Sequence, residues 1–192
     1  MKTLFISTYS GVVTIGLLIS GKLLAKKEVV SERSHSKYLV PLIEEILEEH
    51  QMNSAALNEV IVVNGPGSFT GVRLGVTVAK TLAYTLSIPI KTITSIEAIA
   101  LSVSDFSKGV ISIPDAKGFY FAFFKDNTIV SEIQYKKRDD YLNYIKEQGA
   151  EEILSPVLDL NLEVIHAYLK DQKNINPHMV KPFYVKKLEV MK

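Results

Sequence analysis

A glycine-rich segment at residues 64–80 has the residue types and spacing most suggestive of chemistry in this chain of 192 residues. Three of its glycines follow a short apolar run and precede an apolar stretch of helical length. A glycine-rich turn that leads from a buried strand into a helix N-terminus directs backbone N–H groups at a phosphate. Gly67, Ser68 and Thr70 are therefore weak candidates for contacting a phosphate-bearing cofactor.

The spacing of the glycines departs from both of the best-known phosphate-binding motifs. A P-loop has Lys and then Ser or Thr directly after its last glycine, whereas Val72 and Arg73 follow Gly71. A dinucleotide-binding loop has two residues between its second and third glycines, and here three residues separate Gly67 from Gly71. Autonomous nucleotide binding is therefore the less favoured interpretation.

The same segment predicts a helix with one narrow face of small residues. Gly71, Gly75, Ala79 and Ala83 recur at every fourth position, and Val76 adds apolar surface beside them. A face without bulk allows another helix to approach closely, either within the chain or in a partner. We interpret this face as a partner interface, with the internal core as the alternative.

Arg73 is the distinctive charged residue of this predicted helix, because the chain contains only three arginines. A cation near a helix N-terminus faces an unfavourable dipole. We therefore expect its guanidinium to meet an anionic or carbonyl partner that tertiary or quaternary structure supplies.

Metal and nucleophile chemistry has little support elsewhere in the sequence. Cysteine is absent, which excludes disulfides, thiolate ligands and a thiol nucleophile. The four histidines include no pair spaced four residues apart, and the lone His35 is interpreted as a hydrogen-bonded residue at a helix start. Proteolysis would need a nucleophile with a base, or a bound metal. We predict no catalytic residue and no metal site.

Composition and charge narrow the remaining classes. Hydrophobic residues make up 47% of the chain and charged residues 22%, as in ordinary globular proteins. The net charge of +1 gives no general attraction to nucleic acid, so any nucleic acid would be contacted with the help of a partner. Residues 3–21 are uncharged but too often interrupted by polar residues and glycine to form a span of roughly 20 apolar residues. We expect a cytoplasmic protein without a membrane segment.

The elements that must position the glycine segment follow from hydrophobic periodicity. Apolar runs separated by turns predict a three-stranded meander within residues 4–30, a helix from about 38 to 51, a buried strand at 59–63 and a helix at 72–86. Further strands are predicted at 89–93, 110–113, 119–125 and 128–136, and further helices at 95–103, 141–146 and 160–169. We predict two units, residues 1–103 and 104–192.

Two features of the second unit have both an RNA-binding and a structural interpretation. The basic runs Lys136–Arg138 and Lys186–Lys187 could contact nucleic-acid phosphates inside a complex, although most such runs are solvated. Aromatic residues between 119 and 124 alternate along a predicted strand and are interpreted as core side chains rather than as a base-stacking surface.

Four stretches of the sequence together resemble the bacterial TsaB (YeaZ) family of the glycoprotease-like superfamily. The most specific is Gly-Pro-Gly-Ser-Phe-Thr-Gly-Val-Arg-Leu-Gly at 65–75, which continues through 79–80 and 82–83. The others are Glu-Arg-Ser-His-Ser at 32–36, Asp-Ala-Lys at 115–117 with Tyr120 and Ala122, and Lys-Pro-Phe-Tyr-Val-Lys at 181–186. Together they cover essentially the whole chain.

The resemblance implies an actin-like, Hsp70-like α/β fold with two lobes, each a mixed sheet flanked by helices. It implies a role in making N6-threonylcarbamoyladenosine beside the anticodon of tRNA. A TsaD-like paralogue performs the transfer, and the TsaB-like protein is its non-catalytic partner. A TsaE-like ATPase, tRNA held indirectly through the complex, and a homodimer of the isolated chain complete the expected partners.

The resemblance also implies where cofactors and contacts lie. ATP or ADP and a metal are expected in the partner subunit or at the subunit junction, with no cofactor of the chain's own. The predicted partner interface consists of His35, Arg73, Gly75, Val76, Ala79, Lys80 and Ala83.

Two positions depart from the family pattern. Catalytic members of the superfamily carry an acidic residue at the end of the first strand, where this sequence has Ser7, and a hydroxyl is a weaker ligand for a hard cation. The segment after Asp115 is about one residue short, and Asp115 is interpreted as a turn residue. A self-sufficient nucleotide-using enzyme and an M22-type peptidase homologue remain the alternative functions.

Overall fold

Two mixed sheets of five strands each organise the computed structural model, which describes residues 1–31, 34–103, 107–154 and 159–185. The first half of the chain forms β1 (Lys2–Ser7), β2 (Val12–Ile19), β3 (Lys22–Val30), α1 (His35–Glu49), β4 (Glu59–Val63), α2 (Phe69–Thr85), β5 (Ile90–Ile93) and α3 (Ser95–Ser102). The second half forms β6 (Lys108–Asp115), β7 (Gly118–Lys125), β8 (Thr128–Ile129), β9 (Gln134–Lys137), α4 (Arg138–Gln148), β10 (Glu152–Leu154) and α5 (Leu162–Leu169). Single turns of 3₁₀ helix lie at Ser54–Ala56 and Pro177–Met179.

The first sheet has the strand order β3-β2-β1-β4-β5. Strands β1 to β3 form the predicted antiparallel meander, and β4 and β5 continue the sheet parallel to β1. All five residues of β4 are buried, as expected for a parallel strand covered on both faces. Helices α1 and α2 pack against each other and against this sheet, and the glycine segment connects the carboxyl end of β4 to the start of α2.

The second sheet runs β10-β6-β7-β8, and β9 pairs with another part of β7. The single strand predicted at 128–136 is therefore two short strands. Between them the hydroxyl of Ser131 accepts a hydrogen bond from the Phe123 backbone N–H at 2.9 Å, a side-chain partner in place of a strand carbonyl. Helix α4 covers the sheet with Tyr141, whose buried hydroxyl is hydrogen-bonded to Ser112 and Glu152. Burial raises the pKa of the Tyr141 phenol well above its usual value.

The C-terminal residues return to the first lobe. Apolar side chains of α5 belong to the same hydrophobic core as β1, β2 and β4. The Glu163 carboxylate accepts hydrogen bonds from the Leu23 backbone N–H at 2.9 Å and from Lys22 at 3.1 Å. The predicted unit 104–192 thus divides in the structure, with residues 107–154 forming the second lobe and 159–185 packing on the first.

A buried charged cluster fixes α5 against the first sheet. Lys91 of β5 lies 3.2 Å from Glu59 of β4 and donates to the carbonyls of Leu169 and Lys170 at 2.8 and 3.0 Å. His166 Nε2 lies 3.7 Å from the other Glu59 oxygen. Buried charges are tolerated when they are paired and hydrogen-bonded, and the contacts of Lys91 with Glu59 and with the end of α5 meet this condition. No helix in the described ranges is long and apolar enough to cross a membrane.

Candidate functional site

The loop between β4 and α2 uses its polar groups within the chain. The Ser68 hydroxyl accepts from the Gly71 N–H at 3.2 Å and so caps α2. The Ser68 N–H donates to the Tyr9 carbonyl at 2.7 Å. Of the three weak phosphate-binding candidates, Gly67 lines the large cavity between the lobes, Ser68 is engaged in the cap, and Thr70 is exposed on α2.

The small-residue face of α2 packs inside the chain. A Cβ atom at Gly75 would overlap the Thr8 Oγ1 atom, and one at Gly71 would overlap the Thr8 carbonyl oxygen. The Thr8 hydroxyl in turn donates to the Gly71 carbonyl at 2.7 Å. Four residues of the predicted interface are instead buried against the chain's own core: Gly75, Val76, Ala79 and Ala83.

His35 is also an internal residue rather than a partner contact. Its side chain is buried at the start of α1, and its Nε2 lies 2.7 Å from the Ser10 carbonyl oxygen. Because a carbonyl only accepts, Nε2 carries the proton of this hydrogen bond. The interpretation as a hydrogen-bonded histidine at a helix start is confirmed, and the burial of His35 leaves little of its side chain for the predicted partner contact.

Arg73 and Lys80 point away from the core and meet the C-terminal segment of the same chain. The Arg73 guanidinium lies 3.7 Å from the centre of the Phe69 ring, and its Nε donates to the Tyr184 hydroxyl at 2.6 Å. Lys80 Nζ donates to the His178 carbonyl at 3.4 Å. Tertiary structure therefore supplies an oxygen partner for both cations, while Arg73 remains exposed at the surface.

The two positions that depart from the family pattern lie at strand ends. Ser7 is the last residue of β1 and is buried. Asp115 ends β6, and one of its carboxylate oxygens accepts a hydrogen bond from the Tyr135 hydroxyl at 3.3 Å. Within the described residues, no three side chains of His, Cys, Asp or Glu lie close enough together to hold a metal ion.

A cavity of about 1030 Å³ lies between the two lobes. One wall consists of residues 183–185 of the C-terminal segment and four residues of the glycine segment: Pro66, Gly67, Phe69 and Val72. The other wall consists of Lys117 and Tyr120, residues 135–137 of β9, and one face of α4. Three of the stretches that resemble the family, far apart in the sequence, thus meet around one space.

Comparison with known proteins identifies the family. The family model described as TsaD, tRNA N6-adenosine threonylcarbamoyltransferase, matches residues 27–142. The Bacillus subtilis tRNA threonylcarbamoyladenosine biosynthesis protein TsaB is 36% identical over 117 residues, which are 61% of this chain and 51% of that protein. The chain belongs to the TsaB (YeaZ) family. The Haemophilus influenzae protein of the same name is 27% identical over 167 residues, which are 84% of this chain and 67% of that protein.

The fold agrees with that of a solved family member. The structure of YeaZ from Pseudomonas aeruginosa superposes with a TM-score of 0.80 at 15% identity, over 95% of this chain and all of that one. The predicted α/β fold with two lobes, each a mixed sheet flanked by helices, is therefore confirmed. In sequence, the match to the Bacillus subtilis TsaB spans about half the length of that relative.

Sequence reasoning missed the contacts between the TsaB-like glycine segment and the C-terminal segment. The aromatic rings of Phe69 and Tyr184 lie 5.9 Å apart on either side of the Arg73 contact. The sequence feature that could have indicated the contact between Phe69 and Tyr184 is the pair of aromatic residues within the stretch 181–186. Three residues of the resembling stretches, Glu32, Arg33 and Lys186, lie outside the described residues, as does Lys187.

Proposed function

We propose that this chain is a non-catalytic subunit that binds and activates a TsaD-like threonylcarbamoyltransferase, which modifies the tRNA adenosine beside the anticodon. The observation that carries the proposal is the sequence relationship to curated proteins of threonylcarbamoyladenosine biosynthesis, together with the TsaD family model. The proposal places the chain in the cytoplasm, where its tRNA substrate is made.

The docking face that we propose is the outer side of α2 with the adjoining part of α1. Arg73, Thr77 and Tyr84 are exposed along α2, and Val40 is 45% exposed on α1. An interface needs apolar and aromatic surface with few charges at its centre, which this face supplies together with one arginine. Lys80, which is half-buried beside the C-terminal segment, lies at its margin.

The remaining partners follow from the same role. The isolated chain forms a homodimer through this face, and a TsaE-like ATPase associates with the heteromer. ATP or ADP and a metal ion are held by the TsaD-like subunit or at the subunit junction, and the complex as a whole holds the tRNA.

Size-exclusion chromatography with light scattering tests the proposal. The chain is measured alone and mixed with the TsaD-like protein of the same organism, with and without ATP. Thr77→Arg places a bulky charge in the middle of the exposed α2 face and is expected to abolish the heteromer without unfolding the chain. Gln148→Arg makes the same kind of change on the exposed surface of α4 and is the matched control.

Two outcomes contradict the proposal. Absence of a heteromer for the unmodified chain removes the partner role. Retention of the heteromer by Thr77→Arg, at unchanged affinity, removes the outer face of α2 as the docking surface.

A further inference from the structure

The cavity between the lobes has no part in the proposed docking face, yet it is lined by side chains with a defined chemistry. Its volume of about 1030 Å³ lies at the upper end of the range of ligand sites in proteins. Its lining combines aromatic rings, lysines and a few carboxylate and amide groups.

Aromatic rings line both walls of the cavity. Tyr120 and Tyr135 lie with their ring centres 5.0 Å apart on the second lobe. Tyr144 of α4 also lines the cavity, and its ring packs on the opposite side against Phe121 and Phe123. Phe69 and Tyr184 face them from the first lobe. Unstacked bases of single-stranded nucleic acid bind on such rings, because every base presents a π-face.

Three lysines of the second lobe share this wall: Lys117, Lys136 and Lys137. None of them forms an ion pair with another residue in the described parts of the chain. Lys136 Nζ lies over the Tyr144 ring, 4.7 Å from its centre, so a cation and an aromatic ring meet at this wall of the cavity. Rings with adjacent cations are the arrangement that binds bases and their phosphates together.

The charge of the lining distinguishes a single strand from a free nucleoside triphosphate. Asp140 and Glu147 also line the cavity, so the three lysines leave it a net charge of only +1. The glycine loop adds little for a polyphosphate, because the Ser68 N–H and the Gly71 N–H are already hydrogen-bonded within the chain. A phosphodiester chain carries one charge per nucleotide, which suits this lining. The carboxylates and Asn143 can accept hydrogen bonds from exocyclic amines of bases.

We propose that the interlobe cavity binds a short stretch of single-stranded RNA, with bases against the tyrosine rings and phosphodiesters on the lysines. The inference adds a direct RNA contact to the proposed role in tRNA modification and rests on that role for the source of the RNA. The isolated chain contains the whole site, so the RNA contact can be tested without the partner subunit.

Fluorescence anisotropy at low salt with a short, labelled, adenine-rich single-stranded RNA tests the lysines. The double variant Lys117→Glu with Lys137→Glu reverses two exposed charges at the cavity. Its Kd is expected to rise at least about tenfold. The slope of log affinity against log salt is expected to fall by about 1.4, because each of the two lost phosphate contacts on a single strand contributes about 0.7. The matched control is Lys125→Glu with Lys146→Glu, which changes the net charge by the same amount at exposed positions outside the cavity.

The same assay tests the stacking surface. Tyr144→Ala is expected to weaken RNA binding by roughly fivefold or more, the typical loss for one base stacked on an aromatic ring. Tyr144→Phe keeps the ring and is expected to restore the affinity. Tyr168→Ala removes an exposed tyrosine of α5 outside the cavity and is expected to have no effect.

Four results would overturn the inference: no RNA binding by the unmodified chain at low salt, an unchanged Kd in the cavity variants, an equal loss in the charge-matched control, or displacement of the RNA by equimolar ATP or AMP. The last of these would identify a site for free nucleotides instead. The cavity variants leave the outer face of α2 intact, so their heteromer with the TsaD-like protein is expected to form normally. Failure of RNA binding is therefore detected by anisotropy, and failure of the partner role is detected by loss of the heteromer.

Discussion

The inner and outer faces of α2 both have residues that could contact a partner, but only the outer face is exposed. The inner face is a row of glycines and alanines, buried against β1 and β4. The outer face carries Arg73, Thr77 and Tyr84, all exposed, with the C-terminal segment along one side. The inner face is the more regular pattern in the sequence, and it serves only the packing of the chain.

The difference in exposure between the two faces indicates where a partner can dock on the first lobe. A row of small residues allows any closely packed neighbour, and here that neighbour is Thr8, which directly follows β1. A partner that docks on α2 must therefore use the outer face, where a single substitution can change association without changing the core. Stability and association should thus respond to opposite faces of one helix.

Replacement of Gly75 by Leu gives the largest expected effect on stability. The new side chain would overlap Thr8 and force β1 and α2 apart, so the free energy of unfolding should fall by about 3 kcal/mol. Urea denaturation followed by circular dichroism measures the change. Any loss of partner binding in this variant would then be secondary to loss of the fold.

Thr77→Leu is the matched control on the outer face of the same helix. Because Thr77 is exposed, the free energy of unfolding of the variant should stay within about 0.5 kcal/mol of that of the unmodified chain. If Gly75→Leu were as stable as this control, the inner face would not be closely packed in solution and the partner interpretation of the small residues would regain support.

Removal of one hydrogen bond beneath the inner face gives a smaller effect. Thr8→Val keeps the shape of the side chain but removes the hydroxyl that donates to the Gly71 carbonyl at 2.7 Å. A net loss of about 1 kcal/mol in the free energy of unfolding is expected. Thr81→Val, on the exposed side of α2, should be neutral in the same urea titration. An equal change in both variants would mean that valine itself, through its helix and strand preferences, sets the effect.

Much of the first lobe could be predicted from the sequence because its signals are local. The meander, the buried strand β4 and helix α2 all follow from the periodicity of apolar residues within one element. The return of α5 to the first lobe could not be predicted in this way. It depends on Glu59 and Lys91, whose pairing with each other and with the end of α5 joins positions far apart in the sequence.

The candidate site was harder to predict for the same reason. The sequence identifies the glycine segment as a candidate site, but its small residues do not indicate which surface will cover them. Lys117 and Tyr144 have no shared sequence pattern, and they reach one cavity only because β6, β7 and α4 fold together. Individual motifs can be identified from the sequence, whereas only the tertiary structure shows which of them lie next to each other.

The smallest effect on stability is expected at the boundary of the two faces, where Arg73 holds the C-terminal segment. Arg73→Ala removes the contact with the Phe69 ring and the hydrogen bond to Tyr184, and the global free energy of unfolding should fall by no more than about 1 kcal/mol. The local effect is more informative. The Phe183 N–H donates to the Asn64 carbonyl at 2.7 Å and should exchange faster with solvent in the variant, while amides of β4 keep their protection.

Arg73→Lys should behave like Arg73→Ala in this hydrogen-exchange measurement. Lysine keeps the charge but lacks the planar guanidinium and the Nε–H that contact Phe69 and Tyr184 together. Unchanged exchange at Phe183 in both variants would show that the C-terminal segment is held by other contacts, such as that of Lys80 with the His178 carbonyl. In that case Arg73 would be free to serve a partner alone, and the outer face of α2 would be independent of the cavity beside it.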